Sequence, residues 1–400
     1  MDALTGDLKV QAHRVTVLLI DDQAMIGEAV RRMLAAESDV DYHYWGDPTT
    51  ALQEAERLAP TVVLLDLVMP DVDGLTLLKF FRAHPALREI PVVVLSSKEE
   101  ATTKAEAFTL GANDYLVKLP DPIELIARIK HHSRGYIAQI ERNEAFAALE
   151  LSQKALAHEL AQAAAYVRSL LPAPLSAGAV TTDWRFIPSV QLGGDSFGYD
   201  WLDPEHFAVF LLDVSGHGVK SALLSMTAMN AVRTRTLPNV DFHDPASVLG
   251  ALNGAFQMDQ YEGMYFTIWY GVYEPGTRRL VFASAGHPPA LLLDRDDGQT
   301  RARKVGDAGF TIGMLPGVPF SNSETVVPPG ANLFVFSDGA YEITRPDESM
   351  WGFDDLAATL AASDPSQGPL PLDGVETTIR EIRGVPNFED DVSILEVRFA

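Results

Sequence analysis

Residues 207–218 read FAVFLLDVSGHG, an apolar run that ends at an aspartate and is followed by two glycines. A continuous apolar run of this length is typical of a strand that is buried on both faces. Two other apolar runs adjoin acidic motifs in the same way, because ANLFVF precedes Ser337-Asp338-Gly339 and VSILEV follows Asp390-Asp391. Carboxylates at strand ends, brought together from distant parts of a sequence, can form a site for a hard cation.

A fourth acidic motif, Gly193-Gly194-Asp195, follows a polar, turn-rich segment. The predicted ligands of a Mg²⁺ or Mn²⁺ centre are the carboxylates of Asp195, Asp213, Asp338 and Asp390 and the backbone carbonyl of Val214. Two such cations roughly 3.5–4 Å apart can clamp a phosphoryl group and activate water for attack on phosphorus. His217 and His287 each leave two interpretations open, catalysis or packing.

Composition narrows the classes of function. Four hundred residues predict two or three domains, and a hydrophobic fraction of 47% is sufficient for separate cores. A net charge of −24 argues against nucleic acid as a partner, because phosphate binding needs clustered Lys and Arg. The absence of Cys excludes a cysteine-based phosphatase mechanism. The N-terminal segment does not resemble a signal peptide and no apolar run is long enough to span a bilayer, so we expect a cytoplasmic protein without a membrane partner.

The first 130 residues alternate strand-like runs with helical patterns. The five runs are Val15–Ile20, Tyr42–Trp45, Val62–Leu65, Val92–Leu95 and Asp114–Val117. This alternation predicts a doubly wound, flavodoxin-like α/β domain with a parallel sheet. In such a fold the functional site lies beyond the carboxyl ends of the strands.

Five polar residues stand at those strand ends. Asp21 and Asp22 follow the first strand, and we expect them to hold Mg²⁺ with help from Asp66. Asp66 can attack an activated phosphoryl donor while the metal screens the developing charge. Ser96 can donate a hydrogen bond to the resulting phosphate, and Lys118 can pair with it as a point charge.

A long helix is predicted over residues 121–171, since Pro122 suits a first helical turn and Pro172 supplies a stop. Within it, eight positions alternate in steps of three and four: Phe146, Leu149, Gln153, Leu156, Leu160, Ala163, Val167 and Leu170. Such a heptad seam predicts a coiled coil and therefore a homodimer. The alternative is an amphipathic helix that packs on its own domain.

The sequence thus divides into three parts, residues 14–132, 133–171 and 172–400. The last part mixes hairpins and helices as in an α+β sandwich.

The first part closely resembles a two-component receiver domain. The resemblance rests on Leu19-Ile20-Asp21-Asp22, Leu65-Asp66 with Met69-Pro70 and Asp73-Gly74, Val94-Leu95-Ser96-Ser97 and Tyr115-Leu116-Val117-Lys118. It implies that Asp66 is the phospho-acceptor, that Val68 is a further ligand of the receiver Mg²⁺, and that Ser96 and Tyr115 report phosphorylation. It also implies a histidine kinase or phosphotransfer protein as partner. One departure is Lys118-Leu119-Pro120, where many receivers place Pro directly after Lys.

Residues 180–398 resemble the PPM family of metal-dependent Ser/Thr protein phosphatases, in its bacterial SpoIIE/RsbU-like branch. The four acidic motifs carry this resemblance, which implies a PPM-type α/β sandwich, two Mn²⁺ or Mg²⁺ ions and a phosphorylated substrate such as an anti-sigma-factor antagonist. Gly198 departs from it, because many relatives have Asp there, and Asp200 is out of register. The alternative function is a phosphorylation-controlled adaptor with a catalytically silent phosphatase-like domain.

Overall fold

The computed structural model describes residues 13–189, 192–296, 299–306, 309–362, 372–385 and 388–400. The chain forms two compact units, one up to Lys154 and one from Ala155 onwards. Among the described helices, none combines the length and apolar character needed to cross a bilayer.

The first unit contains one five-stranded sheet in which every neighbouring pair is parallel. Its strands are β1 (Val15–Ile20), β2 (Val40–Trp45), β3 (Val62–Leu65), β4 (Val92–Ser96) and β5 (Asp114–Val117), in the spatial order β2-β1-β3-β4-β5. The helices are α1 (Ala24–Leu34), α2 (Ala51–Leu58), α3 (Gly74–Ala83), α4 (Ala101–Thr109) and α5 (Pro122–Ser169). The predicted doubly wound fold is therefore confirmed.

Helix α5 runs for 48 residues, which confirms the predicted long helix. Its first turns belong to the core of the first unit, where Leu125 and Ile129 are fully buried. Near its C-terminus, Val167 and Leu170 pack against the core of the second unit. The last part of the predicted seam therefore packs on its own chain. This is what the alternative prediction, an amphipathic helix that packs on its own domain, requires for that part. Three large apolar residues earlier in the seam are exposed, namely Phe146, Leu149 and Leu156.

The second unit is a sandwich of two antiparallel five-stranded sheets. Its strands are β6 (Val180–Ile187), β7 (Asp195–Asp203), β8 (His206–Val214), β9 (Phe266–Glu274), β10 (Arg279–Ala285), β11 (Ala290–Asp296), β12 (Gln299–Val305), β13 (Ser323–Val326), β14 (Asn332–Phe336), β15 (Ile343–Thr344), β16 (Met350–Trp351) and β17 (Val392–Phe399). The two sheets have the orders β13-β10-β9-β8-β7 and β12-β11-β14-β17-β6. Strands β15 and β16 form a separate small ribbon.

Four helices cover the outer faces of this sandwich: α6 (Val219–Arg233), α7 (Pro245–Ala255), α8 (Phe353–Ala362) and α9 (Leu372–Arg383). Helices α6 and α7 pack on the sheet that contains β8, and α8 and α9 pack on the other sheet. Strand β8 is therefore buried on both faces, which explains why Phe207–Leu212 is apolar without alternation. The predicted sandwich is confirmed. Strands β6, β7, β12 and β13 were not predicted, because polar residues interrupt or replace their apolar residues. Strand β11 and helix α9 were not predicted either.

Candidate functional site

The carboxyl edge of the parallel sheet gathers three charged side chains. Asp21 directly follows β1, Asp66 follows β3 and Lys118 follows β5. The Lys118 Nζ lies 2.7 Å from an Asp21 Oδ2 and 2.9 Å from an Asp66 Oδ2, so one ammonium group bridges both carboxylates. Asp21 and Asp66 are almost completely buried. Buried charges need partners of opposite sign, and the lysine supplies that partner here.

Burial and the ion pairs of Lys118 shift the pKa values of the charged residues at this edge. Burial raises the pKa of Asp21, while the hydrogen bonds from Lys118 and from the Gln23 backbone N–H oppose that shift. Burial lowers the pKa of Lys118, but the bonds to Asp21 and Asp66 outweigh it and the net pKa is raised. The lysine is thus held cationic beside the predicted phospho-acceptor.

The same edge offers ligands for a cation. Carboxylate oxygens of Asp21, Asp22 and Asp66 lie within 4.8 Å of one another, and Asp22 is the exposed member of the three. This all-oxygen set fits Mg²⁺, which prefers carboxylates and retained waters. Val68 lies two residues beyond Asp66 on the same loop, and its side chain is about half exposed at 49%. The roles of these residues remain predictions.

Ser96 and Tyr115 belong to adjacent strands β4 and β5 of this edge. Ser96 is fully buried and its Oγ accepts a hydrogen bond from the Lys98 backbone N–H at 3.3 Å. The Tyr115 hydroxyl donates to the Lys98 carbonyl at 2.6 Å, so its ring is turned inward and is 9% exposed. The loop at Lys98 therefore connects the two residues that the resemblance assigns to signalling.

A second acidic site lies at one end of the β7–β8–β9 sheet. Asp195 opens β7 and stands directly across from Asp213 near the end of β8. Thr267 of β9 stands across from Asp213 on the other side. Residues directly opposite each other on adjacent antiparallel strands point to the same face, so all three side chains share one face of the sheet.

Two loops from the other sheet bring the remaining acidic motifs to this face. Asp338 follows β14 and Asp390 precedes β17, and these two strands are neighbours. Ser337 holds the loops together, because its Oγ donates to the Asp391 carbonyl at 3.0 Å and accepts from the Ser393 backbone N–H at 3.0 Å. Sequence reasoning missed this role, although both serines lie inside the quoted motifs.

Asp391 ties the first acidic motif to the last. Its carboxylate accepts hydrogen bonds from the Gly194 backbone N–H at 2.6 Å and from the Ser189 backbone N–H at 2.7 Å. Asp391 is buried, at 2% exposure, whereas its neighbour Asp390 is exposed. The two adjacent carboxylates therefore differ in environment. Asp391 binds the backbone N–H groups of Ser189 and Gly194, whereas Asp390 faces the acidic site.

The glycines of these motifs permit close approach of backbones. A Cβ on Gly194 would lie 2.6 Å from the Val214 carbonyl oxygen, and a Cβ on Gly339 would lie 2.2 Å from the Asp391 carbonyl oxygen. Both distances are shorter than non-bonded contacts allow, and both neighbours are backbone atoms that cannot rotate away. The Gly-Gly-Asp and Ser-Asp-Gly motifs are thus required by packing around the carboxylates.

The carboxylates of the second site repel one another. Burial, followed by the charges of Asp338 and Asp390, raises the pKa of Asp213 to about 7. Burial and the charge of Asp390 raise the pKa of Asp338 to about 6, and burial and the charge of Asp213 raise the pKa of Asp195 well above its usual range. Divalent cations would relieve this repulsion.

Unpaired oxygens provide a test of whether cations fit. Both carboxylate oxygens of Asp195 and the Oδ1 of Asp338 are buried and have no hydrogen-bond partner within the described part of the chain. Buried polar atoms are rarely left unpaired, and hard oxygen donors of this kind suit Mg²⁺ or Mn²⁺. The donor set therefore fits the predicted two-cation centre. That these carboxylates and the Val214 carbonyl bind metal ions remains a prediction.

The two histidines differ in environment. Burial raises the pKa of Asp390, and the exposed His217 opposes that rise, so His217 lies near the acidic site. His287 is buried, and burial lowers its pKa to about 4, which leaves the ring neutral near pH 7.

Gly198 lies within β7, where a Cβ would lie 2.6 Å from the Phe210 ring. Asp200 is exposed on the same strand and pairs with Arg235 at 3.4 Å.

Two family models match separate parts of the chain. Residues 17–130 match the response regulator receiver domain, and residues 203–400 match the family described as Stage II sporulation protein E (SpoIIE). Asp195 precedes the second matched range, but the β7–β8 pairing places it beside Asp213.

Individual relatives cover parts of the chain. Phosphoserine phosphatase RsbP of Bacillus subtilis (strain 168) is 28% identical over 200 residues, which are 49% of this chain and 47% of that protein. DNA-binding response regulator MtrA of Mycobacterium tuberculosis (strain ATCC 25618 / H37Rv) is 32% identical over 131 residues, 33% of this chain and 53% of that protein. The chain thus spans about half the length of these curated relatives.

Among solved structures, the SiaA-PP2C domain of Pseudomonas aeruginosa shares the fold. It superposes with a TM-score of 0.52 at 23% identity, and the match covers 62% of this chain and 99% of that chain.

Proposed function

The chain joins a response regulator receiver domain to a SpoIIE-type domain of the PPM phosphatase family, and from this premise we propose that it is a response regulator whose output hydrolyses phosphoserine or phosphothreonine in a protein. The observation that carries the proposal is the convergence of four acidic motifs at one end of the sandwich. Buried, unpaired carboxylate oxygens in that cluster support a function in cation binding rather than in folding alone.

In this proposal the second acidic site holds two Mn²⁺ or Mg²⁺ ions. The ligands are Asp195, Asp213, Asp338 and Asp390, with the Val214 carbonyl. When bound, the cations supply charge neutralisation for phosphoryl transfer to water. The protein contributes a preorganised shell, because Asp391 and Ser337 fix the loops that carry the carboxylates. The role of His217 stays open between catalysis and packing; its exposure near Asp390 is compatible with contact to a substrate.

The receiver controls this output through Asp66, which accepts a phosphoryl group from a histidine kinase or phosphotransfer protein. Mg²⁺ is held by Asp21, Asp22 and Asp66, with Val68 as a further ligand. Lys118 already bridges Asp21 and Asp66, so a phosphoryl group on Asp66 would find a cation in place. Ser96 would then move toward the phosphate and pull on the loop that Tyr115 contacts.

Helix α5 is the proposed route of control. Four of its residues line a cavity of about 240 Å³ together with Leu192 and Gly193, next to the turn that carries Asp195; the four are Ala164, Ala165, Val167 and Arg168. A change in the position of this helix would therefore act on the Gly-Gly-Asp turn. We propose that phosphorylation activates hydrolysis, and that α5 dimerises through the exposed residues Phe146, Leu149 and Leu156. The three-part division at residues 132 and 171 belongs to the same proposal.

The proposed substrate is a phosphorylated anti-sigma-factor antagonist, in the cytoplasm. The relative RsbP is named a phosphoserine phosphatase, which supports a phosphoserine substrate for this chain. The net charge of −24 disfavours nucleic acid as a partner, because nucleic acid is itself strongly negative.

The second candidate is an adaptor whose phosphatase-like domain is silent. The complete set of four acidic motifs speaks against it, because a binding scaffold does not need buried carboxylates that repel one another. A turnover assay separates the two functions. Full-length protein with Mn²⁺ should release phosphate from a phosphoserine peptide, and chelator should stop the release. Absence of turnover with Mn²⁺ or Mg²⁺, with and without beryllium fluoride on the receiver, would favour the adaptor.

A further inference from the structure

A cluster of two histidines and one aspartate lies in the second unit, at the opposite end of β7 from the second acidic site. Asp203 ends β7, His206 begins β8 and His243 lies in the loop before α7. The His206 Nδ1 is 2.9 Å from each Asp203 carboxylate oxygen, and the His243 Nε2 is 2.7 Å from the Asp203 Oδ2. One ligand atom from each of the three residues lies within 4.8 Å of the other two.

Each of the two rings directs one nitrogen at the Asp203 carboxylate. Their centroids are 4.7 Å apart and their planes cross at 85°, so they are not stacked. The other nitrogen of His243, Nδ1, lies 2.9 Å from the Asp241 Oδ1. Histidines that bind a metal through one nitrogen commonly donate the other N–H to a carboxylate, which fixes the tautomer and the ring orientation.

The loop that carries His243 is itself held in place. The Tyr270 hydroxyl donates to the Phe242 carbonyl at 2.9 Å, and Tyr270 belongs to β9 of the same sheet. Asp244 caps the N-terminus of α7 by accepting from the backbone N–H groups of Ala246 and Ser247. The cluster is therefore built on a strand hairpin and a fixed loop, which is the rigidity that a metal site requires.

This cluster is separate from the proposed catalytic centre. Asp195 opens β7 and Asp203 closes it, so the two residues are eight steps apart along the strand, roughly 26 Å at the rise of an extended chain. The donor types also differ. The acidic site offers only oxygen, whereas the cluster offers two imidazole nitrogens and one carboxylate.

We propose that Asp203, His206 and His243 bind a divalent transition ion of the zinc type, which joins the tip of the β7–β8 hairpin to the loop before α7. Imidazole nitrogen is a preferred donor for Zn²⁺, whereas Mg²⁺ selects oxygen ligands. Three protein ligands leave a coordination position for water, in keeping with the partial exposure of all three side chains. The ion's expected contribution is structural stability.

The competing account is a metal-free network of charged hydrogen bonds. In that account a protonated His243 pairs with Asp203 and Asp241, and these bonds raise the pKa of His243. Hydrogen bonds from the Glu205 backbone N–H, from His206 and from His243 likewise lower the pKa of Asp203. Both accounts use the same geometry, so a measurement of metal binding must decide between them.

The test uses full-length, chelator-treated protein that is dialysed back into excess Mg²⁺. Bound Zn²⁺ is counted by equilibrium dialysis for wild type and for His243→Ala, whose side chain is accessible enough for the fold to tolerate the change. We expect the variant to bind one Zn²⁺ fewer per chain than wild type. Co²⁺ should give wild type the intense visible absorption of a four-coordinate, nitrogen-ligated ion, and His243→Ala should lack it.

His43→Ala is the matched control, because the His43 Nε2 also lies beside a carboxylate, at 3.1 Å from the Asp41 Oδ2, but without a second histidine. It should keep the wild-type zinc count and cobalt spectrum. Zn²⁺ should also raise the thermal transition of wild type and of this control, but not that of His243→Ala. Equal zinc counts in wild type and His243→Ala, with a six-coordinate cobalt spectrum in both, would overturn the proposal and leave the hydrogen-bond network. Circular dichroism of each variant without zinc checks that the fold is retained.

Discussion

Replacing Asp213 by Asn should abolish hydrolysis and, in metal-free buffer, stabilise the protein. Asp213 has a pKa of about 7 in the folded chain without metal, against an ordinary value of 3.8. At 1.36 kcal/mol per unit, burial and the neighbouring charges of Asp338 and Asp390, which together cause this shift, cost the folded state up to about 4 kcal/mol when the group is ionised. An amide of the same shape removes the charge and most of that cost.

The direction of the Asp213 pKa shift determines how the stability of the protein depends on pH. Because the folded pKa is raised, the folded state binds the proton more tightly, and this group's contribution to stability falls as pH rises from about 4 to about 7. Asp213→Asn should therefore be more stable than wild type at pH 8 in chelator, by about 1–4 kcal/mol, and the difference should shrink toward pH 4. For a unit of this size each kcal/mol corresponds to roughly 2–4 °C in Tm.

Added Mn²⁺ should reverse the order. Wild type gains stability by binding the ion, whereas the variant lacks a ligand charge and gains less. Phosphate release from a phosphoserine peptide should fall at least about 100-fold in the variant, which corresponds to roughly 2.7 kcal/mol of transition-state stabilisation. Differential scanning fluorimetry over a pH series, with chelator and with Mn²⁺, measures the first effect, and a phosphate-release assay measures the second.

Asp200→Asn is the matched control, because Asp200 lies on β7 and is exposed, with only a surface pair to Arg235. It should change stability by less than about 0.5 kcal/mol at every pH and leave hydrolysis unchanged. The electrostatic reasoning is refuted if Asp213→Asn is less stable than wild type at pH 8 in chelator. Turnover near the wild-type rate in that variant would refute the two-cation assignment.

Three further predictions concern the helix and the loops. Leu156→Asp combined with Leu160→Asp should weaken a dimer that sedimentation detects at micromolar concentration, and a monomeric wild type would reject the coiled coil. Beryllium fluoride should raise the hydrolysis rate of wild type by roughly 5–150-fold but not that of Asp66→Ala, and a flexible Gly-Ser insert near the middle of α5 should remove the response while keeping basal turnover. A full response in the insert variant would mean that the signal does not travel through the helix. Gly339→Ala should lose most activity with its secondary structure intact by circular dichroism, because the added Cβ would lie 2.2 Å from a backbone oxygen of the last acidic motif.

The parallel sheet and the long helix were predictable because their signals are local. Strands β1, β3 and β4 are almost entirely apolar, and helix α5 has prolines at its start and just after its end. Strand β7 was not predicted, since DSFGYDWLD mixes polar and apolar residues and its burial depends on the neighbouring β8 and on α6. A strand whose partners come from elsewhere in the chain carries little sign of them in its own sequence.

The sequence by itself determined which carboxylates are candidates, because each acidic motif adjoins a turn or a strand end and its glycines are visible in the motif. It did not determine how neighbouring carboxylates divide their roles. Asp390 and Asp391 are adjacent and chemically identical, yet one is exposed at the site and the other is buried and fastens Gly194. Likewise, Asp203, His206 and His243 meet only because a hairpin tip packs beside a loop some 40 residues later. Burial and long-range packing set the environment of a side chain, and these exist only in the folded chain.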